Sequence, residues 1–143
     1  MRIAKLETYT NEYVGFVKLT TDEGKVGWGQ VSTYNADLTC EIFHRQIAPH
    51  ALGKDVSDWM GGGDWGDLLL FIFERELKYP GSYLRRAMTG LDTALFDLKG
   101  KLAGKPVVSL IGGTPGKLRA YASSMKRDIT PEDEANRFLK LRD

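Results

Sequence analysis

The sequence has one cysteine, almost no excess charge and no long apolar run. Because Cys40 stands alone, the chain forms no intramolecular disulfide, and one thiol cannot hold a metal by itself. Twenty Lys and Arg against 19 Asp and Glu leave a net charge of +1, which excludes a chain-wide field that attracts nucleic acid or anionic membranes. The longest apolar run, residues 68–73, is too short to cross a bilayer. We expect a soluble, cytoplasmic protein with no nucleic-acid or membrane partner.

The first thirty residues predict an antiparallel meander. Residues that favour strands fill three segments, at positions 2–10, 13–20 and 26–31. Turn residues at 21–24 join the second and third segments into a hairpin. Trp28 stands between Gly27 and Gly29, a pattern that leaves room for another backbone to approach the strand.

Helical periodicity follows the predicted sheet. A first helix begins with Asp37 as N-cap and ends at Pro49 and Gly53, and its apolar stripe comprises Leu38, Ile42, Phe43 and Ile47. Residues 54–66 are predicted to be mostly loop, before a second helix at 67–78. The clearest helix runs from Ser82 to Gly104, and its apolar residues recur at three- and four-residue steps: Leu84, Ala87, Met88, Leu91, Ala94, Leu95, Leu98 and Leu102. A short turn from Pro106 to Leu110 closes this block.

A second unit begins after the glycine-rich linker at 112–116. Residues 118–125 favour a strand, and Thr130 and Pro131 are typical of a helix start. The pattern predicts an α+β domain at 1–115 and one strand-then-helix unit at 116–143. We expect the last helix to expose apolar surface.

Several candidate sites have simpler explanations. The linker at 112–117 lacks the glycine spacing of a phosphate loop. His44 and His50 are six residues apart, on different helical faces, and Cys40 has no paired base. Asp92 and Asp97 point in different directions, which favours ion pairing or capping over an acid–base pair. The remaining charged clusters are typical of solvated helix faces: Asp64, Asp67, Glu74 and Glu76, and the basic Arg85, Arg86, Lys99, Lys101 and Lys105. No catalytic or metal-binding residue is therefore assigned.

Two segments are better candidates for ligand contact. One joins a strand to a helix, is polar and carries one aromatic ring; it comprises Val31, Ser32, Thr33, Tyr34 and Asn35. For this segment an ordinary connection is an equally good interpretation. The other is the end of the predicted strand at Ser124 and Lys126, the position at which barrel enzymes carry their chemistry.

Specific sequence motifs accompany this order of elements. The chain has Gly27-Trp28-Gly29-Gln30, then AMTGLDTALFDLKGK at 87–101, then Gly104-Lys105-Pro106 and Leu110-Ile111-Gly112-Gly113. Over nearly its whole length it resembles the mandelate racemase and muconate lactonizing group of the enolase superfamily. The resemblance implies an enolase-like capping domain of three strands and a helical bundle at 1–115, followed by the first unit of a truncated (β/α) barrel.

The resemblance also implies a function. Residues 31–35 are similar to the family's mobile specificity loop, and the segment around Trp59 and Trp65 to its second covering loop. Such enzymes abstract the proton α to a carboxylate with the help of magnesium, as dehydratases, racemases or cycloisomerases of carboxylates such as acid sugars. Family members commonly form homo-oligomers. Their base and metal acids lie on later barrel strands, so Lys126 takes no catalytic role, and we expect this chain alone to be inactive and to bind no cofactor. The alternative is a non-catalytic ligand-binding or assembly module.

Overall fold

A three-stranded antiparallel sheet forms one layer of the molecule. The computed structural model describes residues 1–56, 66–78, 81–121, 123–124 and 128–142. The strands are β1 (Ile3–Thr10), β2 (Gly15–Thr21) and β3 (Val26–Gln30), in the spatial order β1-β2-β3. Val17 and Leu19 of β2 are fully buried, whereas Phe16 faces solvent. The predicted meander is confirmed to within two residues at each strand end.

A helical segment follows β3 and continues through a proline. It consists of α1 (Ala36–Ile42), a π-helical turn (Phe43–Ile47) and α2 (Ala48–Ala51). Of the two residues predicted to end this helix, Gly53 follows its last turn with φ of 77°, whereas Pro49 lies inside the helix and the prediction for it is wrong. Pro49 cannot donate to a carbonyl one turn back, and its ring crowds that carbonyl; the wider turn, in which Ala48 N–H bonds to the Phe43 carbonyl, accommodates both effects.

The start of α1 also differs from the prediction. Asn35, and not the predicted Asp37, is the N-cap, and the first N–H of the helix, that of Ala36, donates to the Glu12 carbonyl at 3.0 Å. Leu38, which was predicted to lie on the apolar stripe of this helix, is 53% exposed. Thr39 is buried instead, since its hydroxyl is satisfied by the Asn35 carbonyl at 3.0 Å.

The next three helices agree with the sequence pattern. They are α3 (Gly66–Arg75), α4 (Ser82–Ala103) and α5 (Val107–Leu110). Gly104 ends α4 in the left-handed conformation, with φ of 62°, as predicted for a C-terminal glycine. The buried side of α4 comprises Leu84, Ala87, Leu91, Ala94, Leu95 and Leu98, and it packs on the sheet.

The chain after α5 departs from the prediction. Within residues 113–121 and 123–124 there is no helix or strand, and Leu118 and Tyr121 are 94% and 88% exposed. The predicted strand at 118–125 is therefore not formed in the described residues. A strand is held by hydrogen bonds to a neighbour, and the described strands all pair within the cap sheet.

The last described helix is α6 (Pro131–Arg142). Thr130 caps it as predicted, since its hydroxyl oxygen accepts the Asp133 N–H at 3.2 Å. Leu139 and Leu141 are exposed, which confirms the expectation of apolar surface on this helix. The division of the chain into two domains at residue 115 stays a prediction. Across the helices that the structure describes, none combines the length and apolarity that a membrane span requires.

Candidate functional site

The loop at residues 31–35 lies at one end of the sheet, where β3 passes into α1. Val31 fixes its first residue, because this side chain is 1% exposed and its N–H donates to the Gly15 carbonyl at 2.9 Å. Tyr34, near the other end, is 52% exposed. The loop thus has a buried anchor and an outward-facing aromatic ring.

The backbone of this loop adopts an uncommon conformation. Tyr34 and Asn35 both have positive φ, at 60° and 51°, and are the only described non-glycine residues that do. Asn tolerates the left-handed region, whereas an aromatic residue is less often found there. The Tyr34 N–H donates to the Tyr13 carbonyl at 3.3 Å and helps to hold the conformation. Backbone strain of this kind concentrates at functional sites.

A second loop, at residues 11–14, meets the first one. The side-chain oxygen of Asn11 accepts the N–H groups of Tyr13 and Val14 at 2.8 and 2.9 Å, which fixes the turn between β1 and β2. Tyr13 is 59% exposed, and its ring meets that of Tyr34 edge to face at 6.1 Å between centroids. We call these two segments, residues 11–14 and 31–35, the paired loops.

Sequence reasoning missed the loop at 11–14, although a signal was present. In a meander with short turns, the first turn and the end of the third strand lie at the same edge of the sheet. An exposed Tyr at one of these places and a second Tyr at the other therefore predicts that they are neighbours. The strand boundaries, which were predicted, were sufficient for this inference.

The first turns of α4 complete this end of the molecule. Asn35 donates from its side-chain amide to the Tyr83 hydroxyl at 3.3 Å. The Arg86 guanidinium lies 5.8 Å from the centre of the Tyr83 ring and 3.5 Å, through Nη1, from the Thr33 carbonyl oxygen. A groove of about 560 Å³ separates the loop from α4 here.

The structure does not test the other predicted site residues. Trp59, Trp65 and Lys126 lie outside the residues that the structure describes. Ser124 is exposed and lies in no helix or strand. The roles of these residues therefore stay predictions.

The hydrogen bonds of the histidines and the burial of the cysteine are typical of structural residues. His44 Nε2 is 2.8 Å from the Thr8 hydroxyl, and His50 Nε2 is 2.7 Å from Glu76 Oε1. The hydrogen bond with His50 lowers the pKa of the Glu76 carboxyl. Cys40 is buried, and burial raises the pKa of its thiol, so it is not an activated nucleophile.

The two acids of α4 act separately, as predicted. Asp97 accepts the Trp28 N–H at 2.7 Å and pairs with Lys101 at 2.6 Å. Asp92 is half-buried, and burial raises the pKa of its carboxyl. In the described ranges no three His, Cys, Asp or Glu side chains converge as metal ligands would. This part of the chain therefore does not fit a magnesium ion.

Comparison with known proteins gives one consistent result. Residues 2–112 match the family model described as the mandelate racemase / muconate lactonizing enzyme, N-terminal domain. The D-galactonate dehydratase of Pectobacterium atrosepticum is 32% identical over 124 residues, which are 85% of this chain and 31% of that protein. This chain thus spans about a third of the length of the curated relatives that it matches.

Solved structures agree with this match. A provisionally assigned racemase from Roseobacter denitrificans is 60% identical, with a TM-score of 0.85 over 99% of this chain and 37% of its own. A mandelate racemase/muconate lactonizing protein from Paracoccus denitrificans PD1222, complexed with magnesium, is 34% identical. Its TM-score is 0.68, over 78% of this chain and 30% of its own.

Proposed function

This chain belongs to the mandelate racemase / muconate lactonizing enzyme family through its N-terminal domain, and on that premise we propose that it caps the active site of an enolase-superfamily enzyme. The enzyme abstracts the proton α to a carboxylate of an acid sugar. The observation that carries the proposal is the meeting of two exposed loop tyrosines, Tyr13 and Tyr34, at one end of a packed cap. The D-galactonate dehydratase among the relatives supports the substrate class.

In the proposal, the paired loops carry out the capping role of this chain. Tyr13 and Tyr34 present amphipathic rings, which close over a small ligand, exclude water and still offer a hydroxyl to it. The left-handed backbone at residues 34–35 fixes where the second ring stands. In this role Val31, Ser32, Thr33, Tyr34 and Asn35 set specificity, while Trp59 and Trp65 belong to a second covering loop.

The proton transfer itself is proposed to use residues outside this chain. In the family, magnesium stabilises the negative charge that gathers on the substrate carboxylate. Since the described residues do not fit that ion, no step is assigned to it here. We propose that the barrel following this cap supplies the base and the metal ligands, and that the assembled enzyme is a homo-oligomer.

A fusion protein tests the capping role. Residues 1–112 of this chain replace the matching cap of the Pectobacterium atrosepticum dehydratase, and exchange of the substrate α-proton is measured in D₂O with magnesium. We expect exchange from the fusion and none from this chain alone or from the barrel without a cap. Tyr34→Ala in the fusion should raise KM for the acid sugar, whereas the folded fraction should change little.

The alternative is a ligand-binding or assembly module that acts without a barrel. It predicts an inactive fusion and a cap that binds acid sugars with no catalytic partner. The gene sequence beyond the Asp143 codon separates the two: further strand–helix repeats with a Lys-x-Lys pair support the enzyme. Metal-dependent exchange by this chain alone would contradict the assignment of the chemistry to a barrel.

A further inference from the structure

A groove beside the loop at 31–35 carries the inference. Its volume is about 560 Å³. One wall is the loop and the end of β3, and the other is the first two turns of α4. Its lining includes Gln30, Ser32 and Thr33 on the first wall and Arg85, Arg86 and Thr89 on the second. We call this feature the arginine groove.

The arginine groove has positive charge that the described residues leave uncompensated. None of its lining residues is acidic, and no acid in the described ranges forms an ion pair with Arg85 or Arg86. By contrast, Arg45 and Arg137 each pair with a glutamate on their own helical segment. The two groove arginines are therefore available to an anion from outside.

Arg86 is the better placed of the two. It is half-buried, and its guanidinium lies against the Tyr83 ring at 5.8 Å, which restricts the side chain. A guanidinium has five N–H donors, and the described contacts of Arg86 use one of them, at 3.5 Å to the Thr33 carbonyl. The remaining donors can bind both oxygens of a carboxylate in the bidentate geometry that arginine favours.

The rest of the groove suits hydroxyl groups. Arg85 lines the groove, and its guanidinium lies over the Phe73 ring at 5.5 Å. Thr89 gives its hydroxyl proton to the Arg85 carbonyl at 3.0 Å, so its oxygen still accepts. Among the described residues, Ser32 makes one long side-chain hydrogen bond, 3.5 Å, to the Thr33 carbonyl. Hydroxyl donors and acceptors beside a guanidinium that no described acid pairs with match a polyhydroxylated carboxylate.

From this arrangement we propose that the arginine groove binds a second carboxylate of the substrate, remote from the reacting carbon. The substrate is then a polyhydroxylated dicarboxylate, and Arg86 determines this specificity. The inference rests on the proposed capping function. The reacting carboxylate is engaged by the barrel in that proposal, so a cation of the cap recognises the opposite end of the molecule.

The test uses the 143-residue chain and two ligands that differ at one carbon. D-Glucarate carries a carboxylate at C6 and D-gluconate a hydroxymethyl group, with otherwise equal chains. Each is titrated at constant ionic strength while ¹H–¹⁵N spectra follow the amides of Ser32 and Thr33 and the Arg86 Nε–H. We expect saturable shifts at these groups with glucarate and about tenfold weaker binding of gluconate, as for loss of one charge-assisted interaction.

Variants identify the residue responsible. Arg86→Gln should remove the preference for glucarate, and Arg86→Lys should keep part of it, because the charge remains while the bidentate geometry is lost. Arg45→Gln is the matched control and should bind as the parent chain does. Equal binding of the two ligands, shifts that map elsewhere, absence of binding, or an unchanged preference in Arg86→Gln would each overturn the inference.

The outcomes separate this inference from the proposed function. A fusion enzyme that is active on monocarboxylates, together with a chain that does not prefer glucarate, rejects the dicarboxylate and leaves the capping role standing. A chain that prefers glucarate through Arg86, together with an inactive fusion, rejects the capping role and retains the binding site.

Discussion

The carbonyl oxygen of Gly90 in α4 lies so close to Gly29 in β3 that a β-carbon at Gly29 would overlap it. Gly27 has the same relation to the Ala94 carbonyl, one helical turn further along. The outer strand of the sheet and the longest helix therefore touch backbone to backbone. This contact sets the height of α4 above the sheet and, through it, the distance between α4 and the loop at residues 31–35.

Gly29→Ala should consequently destabilise the chain. The added methyl group meets backbone atoms and the Thr93 hydroxyl, which cannot all move aside. We expect a loss of about 3 kcal/mol in the free energy of unfolding, at the upper end for overpacking, measured by urea denaturation. Gly116→Ala, where nothing lies within 4 Å, is the control and should change stability by less than about 0.5 kcal/mol. A mild effect at Gly29 would show that the helix can shift.

Asp97 makes a second connection between the same two elements. Its carboxylate accepts the Trp28 N–H at 2.7 Å, a hydrogen bond that the outward edge of β3 would otherwise lack. Asp97→Ala should cost about 1–2 kcal/mol of stability and speed hydrogen exchange at the Trp28 amide. Asp97→Asn keeps an acceptor oxygen and should cost less. Exchange at Trp28 that is unchanged in Asp97→Ala would contradict this role.

Glu76 should make stability depend on pH in the acid range. Its two oxygens bond to His50 at 2.7 Å and to Gln46 at 2.9 Å, and the pKa of the carboxyl is lowered, chiefly by the His50 hydrogen bond. A lowered pKa stabilises the fold above the ordinary glutamate value of about 4.3, and this contribution is lost as pH falls through the folded-state pKa.

The matching variant is Glu76→Gln. At pH 7 it should lower the free energy of unfolding by about 1 kcal/mol, and the difference from the parent chain should shrink towards pH 3. Glu41→Gln is the control, because Glu41 pairs with Arg45 on an exposed surface, and it should change little at either pH. A gap as large at pH 3 as at pH 7 would exclude ionisation as its cause.

Asp92 should act with the opposite sign. Burial raises the pKa of this carboxyl, so its ionised form is disfavoured in the fold, and stability falls as pH rises through the raised pKa. Asp92→Asn removes that charge and should stabilise the chain at pH 7, with the gain disappearing below the ordinary aspartate value of about 3.9. Thermal unfolding at both pH values measures this. The exposed Asp128→Asn should show no such gain.

Local signals predicted the backbone of this fold well. Gly27 and Gly29 beside Trp28 indicated the close approach of a second backbone, and Gly104 marked the end of α4. Pro49 gave a wrong prediction of the helix end, because a rule for regular helices cannot anticipate a π-helical turn that accommodates the proline ring. The strand predicted at 118–125 is absent from the described residues of that range for a different reason: strand propensity needs a partner strand, and a linear pattern does not contain one.

Only part of the candidate site could be predicted from the sequence. The loop at residues 31–35 follows from its place between strand and helix, but the arginine groove does not, since Thr33 and Arg86 are 53 residues apart and meet only in three dimensions. Arg85 and Arg86 read as solvated surface in the sequence. Their role in the proposal depends on the lack of an acidic partner among the described residues. The sequence pattern alone does not show this lack.

The contact between Tyr13 and Tyr34 determines whether the two exposed rings of the paired loops act together. A double-mutant cycle with Tyr13→Ala and Tyr34→Ala should give a coupling energy of about 0.5 kcal/mol, the low end for an edge-to-face pair since both rings are partly exposed. Tyr9 with Tyr34 is the control pair; the ring of Tyr9 packs on Trp28, and its coupling should be near zero. If the Tyr13–Tyr34 coupling is also zero, the two rings do not act together, although the backbone of one loop still bonds to that of the other. A lid surface formed jointly by both rings would then lose its physical basis, because a ligand ordering one ring would leave the other unaffected.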